Sequence, residues 1–248
     1  MLSGVDGELL GFSEPWLARE PRLLLACQFA AEGSDRARFL AAQVLTRELV
    51  QTLLAISERR VAEARLMWWS DEASYWLQGH PRHPLALGLD ATAAAPVLAQ
   101  LVHQVHAWME TPPDAVAVLG ARLRELSALG SGLIGAPLAG ESSTAWFALA
   151  SRLALAGAAS GGNLLPLDLC ARHGLRRSQW AELGPSRQRA LLAELVPALD
   201  GPGAVSGNAA AALAALEWRW LQRLARTADE RLRLLDVFAA WRAARRAR

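Results

Sequence analysis

Cysteine is scarce and lysine is absent. Two cysteines, Cys27 and Cys170, stand in 248 residues, and all 26 basic residues are arginine. The thiols have no Cys-x-x-Cys pairing and no metal-type spacing, so they read as small buried hydrophobes of a reducing compartment. The arginine bias reflects coding composition and carries no mechanism. No uninterrupted apolar run reaches the roughly 20 residues a membrane-spanning helix needs. Asp6 and Glu8 stand where an export signal would carry positive charge, so no signal peptide is expected and the location expected is the cytoplasm. A net charge of +2 gives no electrostatic case for nucleic acid as a partner. β-branched residues are few, no alternating strand pattern occurs and no internal repeat is visible.

What is present favours helix throughout. Half of the chain (52%) is apolar, with alanine and leucine dominant, which suits one sizeable helical core. Residues 1–13 read as frayed, and Arg22–Ala31 as a short helix. Ser34 and Asp35 are candidate caps for a helix over 35–56, whose apolar positions point in most directions and place it inside a bundle. Ser57 would cap a helix over 58–78. In it Ala62, Leu66, Trp69, Ala73 and Trp76 form one helical stripe, and Gly79 is the natural stop. A helix over 92–110 follows, then Thr111-Pro112-Pro113-Asp114 as a stop and restart into a helix to 129. Gly130–Pro137 reads as a flexible connection. Helices are expected over 142–159, 166–173, 185–199, 207–226 and 228–246, with Ser160-Gly161-Gly162-Asn163 as a break and Thr227-Ala228-Asp229-Glu230 as a capping box. The expectation is all-α: one domain over 1–248, a helical bundle around a central cavity.

Two stretches carry a resemblance. Arg65-Leu66-Met67-Trp68-Trp69, followed by Gly79 and His83-Pro84, is similar to the RLxWW and G-x-P-x-HP segments of the squalene/phytoene synthase family. Leu164-Leu165-Pro166-Leu167-Asp168-Leu169-Cys170-Ala171-Arg172-His173-Gly174-Leu175 resembles the YLPLDLLARHGL segment of the same family, and Trp241-Arg242-Ala243-Ala244-Arg245 is a weaker third match. The resemblance spans roughly 15–245 and implies the all-helical isoprenoid-synthase fold. The family joins two prenyl diphosphates head to head. It holds them through Mg²⁺ on paired DxxxD carboxylates, whose spacing aims both groups at one metal cluster.

Those carboxylates are missing here. The helix over 35–56 offers only Glu48 in its second half, and Val50 and Leu54 stand where the first aspartate pair belongs. Ahead of Pro166 the arginine of the second motif is kept as Arg152, a remnant of diphosphate binding. Its aspartates become Leu153 and Gly157, its basic RGR becomes Ser160-Gly161-Gly162, and its tyrosine becomes Leu164. Without metal clamps, diphosphate departure lacks the charge stabilisation that usually dominates such catalysis. No metal and no cofactor is therefore expected. The chain looks closest to the family's divergent branch, which resembles the phytoene-synthase-like assembly factor of mitochondrial respiratory complex I. The function expected is binding or assembly, with an apolar isoprenoid-like ligand or a protein as partner. The alternative is an active prenyl-diphosphate transferase, with Mg²⁺, using displaced carboxylates among Glu48, Asp71, Glu72 and Asp168. Val50, Leu54, Trp68, Trp69 and Leu153 are the expected cavity lining.

Other patterns are weaker. His103, His106 and Glu110 share a helix face with metal-like spacing, but a polar face explains them better. His80 and His83 flank a proline turn, as phosphate contacts or, preferably, as turn-fixing hydrogen bonds. Arg65 and Glu72 are expected to form an ion pair beside Trp68. Gly130–Gly135 lacks the GKS/T of a phosphate loop. The last helix carries Arg231, Arg233, Arg242, Arg245, Arg246 and Arg248 beside Leu234, Leu235, Phe238 and Trp241. Peripheral contact with the inner face of an anionic membrane is one reading; the safer one is a solvated helix docked by its apolar stripe.

Overall fold

A computed structural model describes residues 2, 4–56, 58–133, 143–156, 159–199, 207–224 and 232–247. They contain eleven α-helices joined by turns and short 3-10 segments, and no strand. The bundle is organised around α3 (Ser34–Leu54), which packs against α1 (Gly7–Arg19), α2 (Pro21–Cys27), α4 (Arg59–Leu77), α5 (Ala91–Glu110), α6 (Val116–Leu133) and α7 (Ser143–Leu155). Its apolar residues point in every direction because neighbours surround it. Phe39, Leu40, Val44, Leu45, Leu49, Val50, Leu53 and Leu54 are all buried.

The stripe of α4 is as the 3.6-residue period requires: Ala62, Leu66, Trp69, Ala73 and Trp76 are buried. Gly79 ends the helix at φ +76°. This left-handed residue lets the His80 N–H reach back to the Tyr75 carbonyl at 2.9 Å. α5 runs back along α4, and α10 (Asn208–Leu224) packs on α2, α7 and α11 (Leu234–Arg246). Between these lie α8 (Leu167–Arg172) and α9 (Pro185–Leu195). Both cysteines are buried, and burial pushes the Cys27 thiol up to about 12.

Several local expectations change. Residues 7–13 are not frayed: Asp6 caps α1 by accepting from Glu8 N at 2.8 Å, and Leu9 is fully buried. The cap position of α3 is Gly33, not Ser34 or Asp35, and no side chain bonds there. Residues 130–133 continue α6, because Gly130, Ser131 and Leu133 are buried and extend its inward face. The segment 161–164 is not an open break but part of the 3-10 turn Ala159–Leu164. Ser57, residues 134–142, Gly157 and the capping box at 227–230 lie outside the described residues.

α11 reverses the safer sequence reading. It docks on α10 through Ala240 and Ala244, which meet Ala212 and Leu216. Asp236 is buried at this seam and accepts from Arg219 Nε and Arg223 Nη1, both at 2.7 Å. Small side chains bring the two helices close, and the large apolar residues of α11 face outward.

Candidate functional site

The Trp-Trp and His-Pro segments converge on one carboxylate. Glu72 is fully buried. Its Oε1 accepts from Trp76 Nε1, Arg82 N and His83 N, each at 2.8 Å, and its Oε2 accepts from Arg82 Nε at 3.1 Å. Burial pushes the Glu72 carboxyl up, but the four donors together outweigh it and hold the pKa below the ordinary carboxylate value. Glu72 thus fixes the turn between α4 and the 3-10 segment Pro84–Gly88. His83 completes it: its Nδ1 accepts from Leu85 N at 3.2 Å, and burial lowers its pKa.

The His83 ring sits among aromatics. Its centroid is 4.5 Å from Phe12, 5.5 Å from Trp68 and 4.9 Å from Trp69. Trp69 is 1% exposed and belongs to the core, whereas Trp68 is 41% exposed and lines no interior space. Glu48 approaches from α3, where it accepts from Trp16 Nε1 at 2.7 Å and pairs with Arg65. The expected Arg65–Glu72 pair therefore does not form: Arg65 reaches across to Glu48, and Glu72 takes Arg82. Glu48 and Glu72 both act electrostatically on His83. Rings, not open space, lie around that imidazole.

Among the described residues, the part of the interior that Val50 faces is apolar and nearly filled. Val50, Leu53, Val105, Trp108, Leu123, Leu126, Trp146, Ala150 and Leu164 surround a void of about 10 Å³, room for roughly one water at most. Of the expected lining, Val50 faces this void, Leu54 is fully buried elsewhere in the core, and Leu153 packs partly buried at its edge. Trp108 is held in place by donating from Nε1 to the Asn163 carbonyl at 3.1 Å. Gly162 stands where the resemblance has the second arginine of RGR, and neither it nor Gly161 has room for a side chain. A Cβ on Gly161 would collide with the Trp180 indole, and one on Gly162 with the Arg177 carbonyl. Trp180 is fully buried and donates to the Ala154 carbonyl at 3.1 Å.

Arg152 lies in a buried ionic network. Its Nη2 reaches Glu217 Oε1 at 2.8 Å and Glu20 Oε2 at 3.2 Å, and its Nη1 also bonds to Glu217. Arg47 donates to the same Glu20 oxygen at 3.0 and 2.7 Å. Burial alone would lower the Arg152 pKa, but Glu217 and Glu20 raise it above the free value. The same balance holds Glu20 down through Arg47 and Arg152, against the burial that raises it. Glu20, Arg47 and Glu217 carry no motif, so sequence reasoning missed them. Only the rarity of buried charge could have flagged them, and burial is a tertiary property.

The remaining candidates scatter. Asp71 is exposed on the outer side of α4. Asp168 is exposed too, and its Oδ2 accepts from Val116 N at 3.3 Å, which satisfies a free N–H at the start of α6. His103 and His106 are exposed on a shallow groove with Glu63 and Met67, while Glu110 turns away to pair with Arg59. Among the described residues no three His, Cys, Asp or Glu side chains come together as a metal site.

No protein-family model matches the sequence, and no curated protein matches it. A crystal structure of a dehydrosqualene synthase in complex with ligand superposes with a TM-score of 0.58. It covers 96% of this chain and 95% of that one at 11% sequence identity. The two share the all-helical isoprenoid-synthase fold. The family resemblance implies Mg²⁺, and the side chains at the positions it marks do not fit that ion among the described residues. Magnesium needs several oxygen ligands, but Val50 and Leu54 offer none, and Glu48 and Glu72 are each committed to donors of the protein itself.

Proposed function

We propose that this chain is a catalytically degenerate protein of the squalene/phytoene synthase type, and that it acts by binding or assembly instead of prenyl transfer. The observation that carries the reading is the nearly filled interior. Among the described residues, Val50, which stands where the resemblance puts the first aspartate pair, and its apolar neighbours leave about 10 Å³, and the space beside Arg47, Trp146 and Glu217 holds about 30 Å³. A hydrocarbon chain of 15 carbons requires a few hundred cubic ångströms. The partner on this reading is a lipid or a protein met at the surface.

A second reading, a working prenyl-diphosphate transferase with displaced carboxylates, has one observation in its favour: Glu48 and Glu72 come to His83 from two helices. Both are tied down by hydrogen bonds, which weighs against it. One experiment separates the readings. The chain is incubated with farnesyl or geranylgeranyl diphosphate, with and without Mg²⁺, and diphosphate release is measured. No release above the protein-free control is expected. Mg²⁺-dependent release that Glu48→Gln abolishes, in a variant that still folds, would establish the enzyme.

A further inference from the structure

α11 presents an apolar face that nothing among the described residues covers. Leu234 is 79% exposed, Leu235 65%, Phe238 62% and Trp241 47%. Steps of one, three and three residues place all four on one side of the helix, opposite the seam of Asp236, Ala240 and Ala244. Arg242, Arg245 and Arg246 are exposed and continue this side towards the C-terminal end. The Arg245 guanidinium lies 4.8 Å from the Trp241 ring. The acidic residue of α11, Asp236, is buried and paired to Arg219 and Arg223, so the exposed side carries positive charge alone.

Burying such a stripe against α10 would have been the ordinary solution for a helix with no outside partner. Instead alanines make the contact, and the hydrophobic side chains are left where a partner can take them. Positive charge beside the stripe selects an anionic partner, and it opposes a second copy of the same face, which would set like charges together. No helix among the described residues is long and apolar enough to cross a membrane. A helix of 13 residues with an aromatic and leucine stripe edged by arginine has the form of one that lies in the headgroup plane.

We propose that the outer face of α11 docks flat on an anionic lipid bilayer. Leu234, Leu235, Phe238 and Trp241 enter the boundary between headgroups and acyl chains, and Arg242, Arg245 and Arg246 meet lipid phosphates. This rests on the geometry of α11 alone and is independent of whether the interior retains catalysis.

The test is co-sedimentation of the full chain with vesicles of phosphatidylcholine alone or mixed with phosphatidylglycerol, at low and high salt. Binding to the mixed vesicles is expected, weakened by salt, with little binding to the neutral ones. Arg242→Gln and Arg245→Gln each weaken it about 5-fold. Phe238→Ser with Trp241→Ser weakens it roughly 100-fold, with unchanged circular dichroism because these side chains are exposed. Brominated lipids quench tryptophan emission in the wild type, and Trp241→Phe removes most of that quenching. Several results overturn the proposal: no binding of the folded chain to mixed vesicles, equal binding to both kinds, or binding unaffected by the Phe238 and Trp241 changes. A dimer in sedimentation velocity that Phe238→Ser dissolves would make a second copy the occupant and also overturn it.

Discussion

Replacing Glu72 distinguishes an architectural carboxylate from a displaced catalytic one. Glu72→Ala removes the acceptor for four donors at a fully buried position. Trp76 is itself fully buried, so its indole N–H loses its partner outright, and so does the partly buried N–H of His83. An orphaned buried donor costs about 1–3 kcal/mol. Arg82 is half exposed, so water replaces its contacts at little cost. The sum, with the space left by the shorter side chain, is about 3 kcal/mol, or a fall in Tm of about 6–12 °C for a chain of this size. Glu72→Gln keeps one oxygen and turns an amide N–H₂ towards a donor, so about half of that loss is expected.

The sign with pH follows from the depressed pKa. The folded carboxyl titrates below its unfolded value of about 4.3, so the stability it contributes is present above that value and fades as pH falls through the folded pKa. The gap between wild type and Glu72→Gln should therefore narrow below about pH 4. The assay is urea unfolding followed by circular dichroism at several pH values. A Glu72→Ala variant as stable as the wild type, or more stable, would refute the reasoning, because carboxylates poised for catalysis are the ones whose removal relieves strain.

Three further substitutions probe other parts of the structure. Asp236→Asn should loosen α11 by about 2–3 kcal/mol, seen as faster amide exchange across 234–246. Burial raises the Asp236 pKa, but Arg223, Arg219 and the Arg233 N–H hold it at about 2, so in the wild type this support is lost as pH falls from about 4 towards that value. Arg152→Met should cost about 3–5 kcal/mol, measured by denaturant melts, because Glu20 and Glu217 are left buried and poorly compensated; a phosphate-binding arginine facing an open site would show little change. Gly162→Ala should cost about 2 kcal/mol or more in the same melts by driving the Arg177 backbone off the 3-10 turn.

Much of the fold was legible because helical periodicity is local. The stripe of α4, its stop at Gly79 and the enclosure of α3 follow from residue spacing alone. What was not legible depends on contacts between distant segments. Trp68 and Trp69 are neighbours in sequence, yet only the second lies on the inward stripe. Glu72 had two arginines in reach, Arg65 and Arg82, and the chosen one depends on how the turn folds back. Gly161-Gly162 has the composition of a break, but it is the floor on which Trp180 rests. In α11 hydrophobicity misled, since alanines make the docked seam and the residues with the largest apolar surface point outward. Charges in the Glu20–Arg47–Arg152–Glu217 network come from three helices and the junction between α1 and α2, with no spacing rule to connect them.

On the proposed reading, side-chain contacts and internal ion pairs occupy this isoprenoid-synthase-type bundle in place of a diphosphate and metal site. Thermal melting with farnesyl diphosphate, with and without Mg²⁺, tests it most directly. A ligand present at about 100 times its Kd would add about 2.7 kcal/mol, raising Tm by roughly 5–11 °C. The account predicts no rise with either addition. A rise that appears with the diphosphate and grows with Mg²⁺ would contradict it.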